Sequence, residues 1–511
     1  MKLKRSIYNI GFGLVSQFCI LILGLIIPKL FILEYGSEIN GLFSSINQLF
    51  TYVALLEAGI GAATVQALYK PITTNDKLCI SQILSATKNY YRRISLYYVI
   101  CVIFLAIIYP LIIKSNINRG YIMIIILLQG LSGAINFYFQ ATIMQLLVAE
   151  GKNYILSNIN LIVYIMTSIS KIILIMNSVN IIAIQAIYFI ISIIQILFYY
   201  LYFKKKYSWV NLKEKPNYSV LSQKNSFLIH QISLLIFSST DMLVLSLFCN
   251  LNVVSIYSVY NLVFTSLNNI INTLYNSISF TLGHTYHENK KKYLDLHDMC
   301  DNYYITFVFA IISVAYLLII PFMKLYTKGI DDINYIDSYL PLLFCLVQLL
   351  TSTRVISNNL IRISGHMKLT IYRTILESTI NLVVSLILVK KIGIYGVLIG
   401  TIVALIYRST DIIQYANKKI LNRKPHKVYK TICCNSLVFL VITYLNKYLK
   451  LDIKTYYDFF KSGIILTMVI LPIYILVNTI INIESRKFLL NILKNGTLNL
   501  FRHKNEKVKY Y

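Results

Sequence analysis

Fourteen long apolar stretches are the feature that most constrains how this chain can fold. Each runs for about 20 residues, the length that an α-helix needs to cross the hydrocarbon core of a bilayer. Of the 511 residues, 57% are hydrophobic and 13% charged, which is more apolar sequence than a water-soluble core can bury. The chain is therefore predicted to be an all-α polytopic membrane protein. The predicted spans lie near residues 7–32, 41–68, 95–113, 121–148, 155–176, 181–203, 227–249, 253–280, 303–326, 336–361, 369–389, 394–416, 429–446 and 462–481.

The connections between most spans are short, so that neighbouring helices are expected to pack antiparallel. The longer connections and the basic end of the chain suggest five parts. These are a six-helix lobe at 1–203, a cytoplasmic linker at 204–226, a second six-helix lobe at 227–416, two additional transmembrane helices at 417–481 and a basic cytoplasmic tail at 482–511.

The distribution of Lys and Arg predicts the orientation in the membrane. With a cytoplasmic N-terminus, and with basic residues near the edge of a span assigned to the adjacent side, 34 of the 48 lie inside and 11 outside. The remaining three are within spans: Lys171, Arg354 and Arg408. This asymmetry is typical of multi-pass proteins and predicts that both termini are cytoplasmic. It also accounts for the net charge of +28 without a nucleic-acid partner.

The two predicted lobes resemble each other at an offset of 214 residues. This shift aligns identical residues at five places and also matches the hydropathy of the spans. The aligned pairs are Gln17 with Gln231, Ser44 with Ser258, Asn47 with Asn261, Tyr90 with Tyr304 and Gly151 with Gly365. Because each copy contains an even number of spans, the repeats are expected to be parallel, related by an axis along the membrane normal.

Polar side chains recur along one face of several predicted spans. The longest such stripe, in the eighth span, consists of Ser255, Ser258, Asn261, Thr265, Asn268, Asn272, Asn276 and Ser279. A spacing of three or four places these residues on one helical face. Short stripes of this kind often serve only for hydrogen bonding between helices, but this length favours a hydrated central cavity. The predicted cavity-lining residues are Asn47, Gln140, Asn261, Asn268, Asn272 and Asn358.

Four charged residues lie deep within predicted spans: Glu57, Lys171, Asp241 and Arg354. Charges in this position are costly and are paired or hydrated. One interpretation is that the two acids and two bases form structural ion pairs. The other is that Lys171 and Arg354 bind an anion such as a diphosphate, while Glu57 or Asp241 couples transport to a proton or sodium gradient.

Two further charge pairs are predicted to be local. Arg373 and Glu377 are four residues apart on the eleventh span, and Arg408 and Asp411 are three apart on the twelfth. Both spacings allow side chains to meet on the surface of one helix.

The sequence contains no pattern that predicts a cofactor or a bound metal. It has no Walker motif, nucleotide-binding glycine loop or nucleophile elbow. Its eight cysteines lie mostly in apolar runs without metal-ligand spacing. The chain is therefore not expected to be an enzyme.

Several motifs resemble those of polysaccharide flippases of the multidrug, oligosaccharidyl-lipid and polysaccharide exporter (MOP) superfamily. They are Glu34-Tyr35-Gly36, Asn40-Gly41-Leu42-Phe43, Leu56-Glu57-Ala58-Gly59-Ile60, Ser239-Thr240-Asp241-Met242, the run from Val254 to Asn261, Glu150-Gly151-Lys152 and Ser364-Gly365-His366. The resemblance covers almost the whole chain. It departs at Thr281-Leu282-Gly283, where such proteins often have a proline.

The resemblance implies two six-helix lobes around a cationic cavity, with two extra helices. It implies a monomeric flippase of a bacterial plasma membrane that moves undecaprenyl-diphosphate-linked oligosaccharides by alternating access, for O-antigen, capsule or another surface polysaccharide. Membrane lipids and polysaccharide polymerase machinery are the implied partners. By the same resemblance, Lys171 and Arg354 would bind the diphosphate or an acidic sugar.

Three alternatives remain open at this point. Within the superfamily they are a flippase for the peptidoglycan lipid precursor and a multidrug exporter. From another class, a membrane polysaccharide polymerase or ligase would have a similar composition. Such enzymes need a large external loop with Arg or His, whereas the largest predicted outer segments, 327–335 and 447–461, contain neither.

Overall fold

The computed structural model describes residues 20, 22–57, 59–218, 240–288, 290–449, 451–482 and 486. In this part of the chain, every regular element is helical. Most of the first and seventh predicted spans, nearly all of the basic tail, and the aligned pair Gln17 and Gln231 lie outside the described residues.

Eight helices precede the long central connection. They are α1 (22–35), α2 (Ser37–Val53), α3 (Ile60–Thr74), α4 (Lys77–Ile112), α5 (Arg119–Phe139), α6 (Ala141–Ala149), α7 (Asn153–Met176) and α8 (Ile181–Lys206). A short 3₁₀ turn, Ala54–Glu57, follows α2.

Nine more helices follow. They are α9 (Asp241–Phe248), α10 (Leu251–Glu288), α11 (Lys290–Tyr326), α12 (Leu340–Thr353), α13 (Val355–Ile363), α14 (Ile371–Ile392), α15 (Ile394–Tyr415), α16 (His426–Leu445) and α17 (Tyr456–Ile481). A 3₁₀ turn, His366–Thr370, precedes α14, and a π turn, Ala416–Ile420, extends α15. Among the described residues, nine helical segments are long and apolar enough to cross a membrane. This agrees with the predicted all-α, multi-pass architecture.

The chain divides into two compact units. Unit 1 comprises residues 1–262, 329–333 and 386–397, and unit 2 comprises 263–328, 334–385 and 398–511. These units differ from the predicted lobes, because α9 and the first part of α10 belong to unit 1. The predicted lobe boundaries stay a prediction.

The helix boundaries repeat at the same offset of 214 residues as the sequence. α2 and α10 begin at Ser37 and Leu251, and α5 and α12 end at Phe139 and Thr353. The short helices α6 and α13 correspond at both ends, as do the ends of α8 and of the π turn after α15. The backbone therefore repeats far more closely than the side chains do.

Three predicted spans contain a break that hydropathy did not indicate. The second is interrupted after Glu57, where Gly59 has φ of 90°. The fourth breaks at Gln140 and the tenth at Arg354. Gln140 and Arg354 are 214 residues apart, so this break is part of the repeat. The eighth span has no equivalent of the break after Glu57, since α10 runs unbroken for 38 residues.

The core of unit 1 depends on close helix packing. Leu42 and Ile46 of α2 are buried against Ile122 and Ile125 of α5 in one apolar cluster. Beside them, Gly41 lies so close to the start of α10 that a Cβ there would be 1.8 Å from the Leu251 carbonyl oxygen. Small residues at such crossings are typical of helices that associate within lipid.

In unit 2, α11 packs against both α16 and α17. Polar contacts within the apolar interface fix their register. The hydroxyls of Ser313 and Tyr474 are 2.8 Å apart, and the side-chain amides of Asn435 and Asn478 bond each other at 2.8 and 3.2 Å. Buried polar groups paired in this way avoid the cost of desolvation without a partner.

We expect Gly41→Ala to destabilise the protein, because the new methyl group would overlap backbone atoms that cannot rotate away. Overpacking of this kind costs about 1–3 kcal/mol. Thermal unfolding of the purified protein in detergent measures the effect. Gly283→Ala is the matched control, since a Cβ there would be 3.8 Å from its nearest neighbour. Equal unfolding temperatures for the two variants would contradict the close approach at Gly41.

Candidate functional site

The most distinctive candidate site in unit 1 is a pair of adjoining cavities that share Lys171. Their volumes are about 220 and 400 Å³. Lys171 belongs to α7, and its ammonium nitrogen lies 5.1 Å from the centre of the Tyr188 ring on α8. Within the part of the chain that the structure describes, no carboxylate lies at ion-pairing distance from Lys171. A cation–π contact alone leaves the ammonium able to donate hydrogen bonds to an anion.

Side-chain amides line both cavities. In the smaller one, Gln129 donates a hydrogen bond of 2.5 Å from Nε2 to Oδ1 of Asn47. The other oxygen of this pair, Gln129 Oε1, is buried and accepts no hydrogen bond from the described residues. Asn136, which lines the larger cavity, has a buried Oδ1 in the same state. Such acceptors are expected to bind hydroxyl or amide groups of a ligand.

The two intramembrane acids of unit 1 each accept a hydrogen bond from a tyrosine. The Tyr91 hydroxyl donates to Glu57 at 3.0 Å and in turn accepts from Gln145 at 3.1 Å. The Tyr257 hydroxyl donates to Asp241 at 2.7 Å. Glu57 ends the 3₁₀ turn at the helix break, and Asp241 is the first residue of α9, where a negative charge is favoured by the helix dipole. Within this unit, Glu57 therefore binds a tyrosine and does not pair with Lys171.

Arg354, in unit 2, belongs to a network of charges. Its guanidinium donates to Glu377 at 2.5 Å, and Arg408 contacts the other oxygen of Glu377 at 3.4 Å. Arg408 also donates to Asp411 at 2.6 Å, as predicted from their spacing. The prediction for Arg373 was wrong: it pairs with Asp411 on α15 instead of Glu377, because Glu377 faces Arg354 and Arg408.

The predicted cavity-lining residues are found in different environments. Asn47 lines the smaller Lys171 cavity, and Gln140 is buried at the break between α5 and α6 with Oε1 unbonded by the described residues. Asn268 accepts a hydrogen bond from Gln348 at 3.1 Å in unit 2. Asn261 and Asn272 are half-buried, and Asn358 is exposed. Their role in a central cavity stays a prediction.

Sequence reasoning missed three residues that shape these sites: Gln185, Tyr188 and Glu377. Gln185 and Tyr188 are in the sixth predicted span, whose composition gives no polar stripe. Glu377 was assigned to a local pair, although its position four residues after Arg373 also allowed contacts to other helices. The spacing along one helix cannot show which of these contacts forms.

We expect Glu377→Gln to destabilise the protein strongly. The carboxylate is 3% exposed and contacts two arginines, one of which, Arg408, is 4% exposed. Removing one partner from a buried ion pair costs about 3–5 kcal/mol. Thermal unfolding and the amount of protein in the membrane fraction measure the loss. Asp452→Asn removes the acid of an exposed pair with Lys454 and should change neither; equal effects of both substitutions would contradict a structural role for the network.

Neither a protein-family model nor a curated protein sequence matches this chain, but several solved structures are similar to it. The lipid II flippase MurJ in an inward closed conformation has a TM-score of 0.68 at 17% identity, covering 92% of this chain and 98% of MurJ. An inward-facing multidrug resistance MATE family transporter of the MOP superfamily has a TM-score of 0.59 at 16% identity, covering 78% and 98%. A MOP superfamily transporter from Pyrococcus furiosus has a TM-score of 0.55 at 14% identity, covering 81% and 94%. The chain therefore has the fold of MOP superfamily transporters.

Proposed function

We propose that this protein is a flippase for lipid-linked oligosaccharides in a bacterial cell membrane. Its substrate would be an undecaprenyl-diphosphate-linked sugar unit, moved by alternating access during the assembly of O-antigen, capsule or another surface polysaccharide. The observation that supports this most directly is the Lys171 cavity. It combines an ammonium that has no carboxylate partner among the described residues with amide oxygens that lack donors.

The chemistry of this cavity suits a glycan attached to a diphosphate. Lys171 supplies a positive charge and hydrogen-bond donors for phosphate oxygens. Gln129 and Asn136 offer buried acceptors to sugar hydroxyls. Tyr188 presents an aromatic ring beside the same ammonium. A drug cation would instead be repelled by Lys171, which makes multidrug export the weaker alternative.

A lipid II flippase is the second candidate, favoured by the similarity to MurJ over 92% of the chain. Both candidates would carry a sugar on a lipid diphosphate, so Lys171 has the same proposed role in each. Multi-pass insertion with both termini in the cytoplasm, action as a monomer, and contact with polysaccharide polymerase machinery belong to the same proposal.

Replacing Lys171 tests the proposal. In proteoliposomes loaded with a fluorescent undecaprenyl-diphosphate oligosaccharide, we expect Lys171→Ala to reduce the rate of flipping by about tenfold or more, which corresponds to about 1.4 kcal/mol. Lys171→Arg should retain much of the rate, because it keeps the charge. Loss of substrate protection from reagents outside the vesicle reports the rate.

The exposed residue Lys215 provides the control, and Lys215→Ala should flip at the wild-type rate. Running the same assay with lipid II separates the two candidate substrates. Unchanged flipping of both lipids by Lys171→Ala would refute the proposed anion site. Transport of a cationic dye, but of neither lipid, would favour the multidrug exporter.

Glu57 is proposed to couple flipping to a proton or sodium gradient. Glu57→Gln retains an acceptor for the Tyr91 hydroxyl but cannot exchange a proton. We expect flipping by this variant to lose its response to an imposed gradient while the protein keeps its unfolding temperature. Asp241→Asn is the parallel test for the second acid. If Glu57→Gln fails to accumulate in the membrane, the acid is structural and the coupling role is wrong.

A further inference from the structure

A third cavity, of about 230 Å³, lies in unit 2 and is separate from the residues considered above. It is enclosed by the first third of α11, the first turns of α16 and the end of α17. The residues that matter here are Asp298, Asp301, Asn302, Lys427, Lys430 and Asn482. α11 becomes continuously apolar just after Asn302, α16 begins at His426 and α17 ends at Ile481. Three helices that enter or leave the membrane at this cavity place it at the level of lipid headgroups.

One wall of the cavity carries a buried acid that lacks a donor. Asp301 is 3% exposed, and its Oδ1 accepts no hydrogen bond in the described part of the chain. The neighbouring Asp298 is different, because Arg423 donates to it at 2.9 Å and Lys427 at 3.1 Å. A buried carboxylate without a donor is costly. A ligand that brings a hydrogen-bonding cation would offset this cost.

The neighbouring amide also lacks one of its partners. Asn302 accepts hydrogen bonds at Oδ1 from Thr431 at 3.1 Å and from Asn482 at 2.6 Å, so its orientation is fixed. Its Nδ2 is buried and donates to none of the described residues. The cavity therefore offers an unmet acceptor and an unmet donor on successive residues. A ligand that carries both a donor and an acceptor satisfies the two together.

The opposite wall favours negative charge. Lys427 and Lys430 both line the cavity in the first turns of α16. Pro425 precedes this helix and provides no side-chain cap, so the backbone N–H groups of the first turn are available to a ligand. Lysines together with an uncapped helix N-terminus suit a phosphate. The cavity thus has a site for a cation and a site for a phosphate within one enclosure.

We propose that this cavity binds the zwitterionic headgroup of an aminophospholipid, with its primary ammonium on Asp301 and its phosphate between Lys427, Lys430 and the start of α16. A primary ammonium donates hydrogen bonds to a carboxylate, whereas a trimethylammonium has no N–H group to donate. Basic pockets between transmembrane helices near the membrane surface are suited to lipid headgroups. The proposal does not depend on which lipid the protein transports.

Lipid binding to the purified full-length protein in detergent tests the proposal. Titration with phosphatidylethanolamine, phosphatidylcholine and phosphatidylglycerol, followed by native mass spectrometry, measures the three affinities. We expect phosphatidylethanolamine to bind about tenfold more tightly than either of the others. Asp301→Asn should abolish this preference. Asp295→Asn, the same substitution at an exposed position on α11, should preserve it.

Two further measurements keep the proposal falsifiable. Lys430→Gln should weaken binding of phosphatidylethanolamine, and it serves if Asp301→Asn fails to fold. Free phosphoethanolamine should compete only weakly, because it lacks the acyl chains that pack against the helices. Equal affinities for the three lipids, or an unchanged preference in Asp301→Asn, would overturn the site. Binding of free phosphoethanolamine as tightly as the lipid would overturn the lipid assignment in favour of a soluble ligand.

Discussion

The need to satisfy backbone polar groups inside a bilayer determines where this chain can interrupt a helix. Irregular backbone at membrane depth is tolerated only where protein or a water-filled cavity surrounds it. The three breaks within predicted spans follow this rule, since a polar residue stands at each: Glu57, Gln140 and Arg354. Two of them are equivalent under the 214-residue repeat. The duplicated backbone therefore provides the same interruption twice, and the side chain placed there differs between the copies.

Charge compensation differs between the two units. In unit 2, Arg354, Arg373 and Arg408 share two carboxylates, so the charges are largely neutralised by one another. In unit 1, Glu57 accepts a hydrogen bond from Tyr91, and Lys171 contacts an aromatic ring and amide-lined space. Burial penalises any charge, but only a compensated one gains from excluding water. The Arg354 network is therefore suited to holding helices together, and the Lys171 cavity to receiving a ligand.

Much of the architecture was predictable from the sequence, because hydropathy directly reflects the cost of transfer into lipid. The all-α class and the repeat offset follow from that signal, and Lys171 was recognised because a lysine within an apolar span is rare. The break at Gln140 was not predicted, although the offset relates it to Arg354. Tyr188 and the partner of Glu377 were missed for another reason: both depend on which helices meet, and spacing along one helix carries no information about its neighbours.

The difference between the two basic residues also bears on the order of events in binding. An anion that approaches Arg354 must compete with Glu377, a partner that is already desolvated and bonded at 2.5 Å. An anion that approaches Lys171 displaces no carboxylate of the described chain and replaces only a cation–π contact. The reorganisation required is smaller at Lys171, so a diphosphate is expected to make its first ionic contact there. Engagement of Arg354 would then require Glu377 to keep Arg408 as its partner, which the existing contact between them allows.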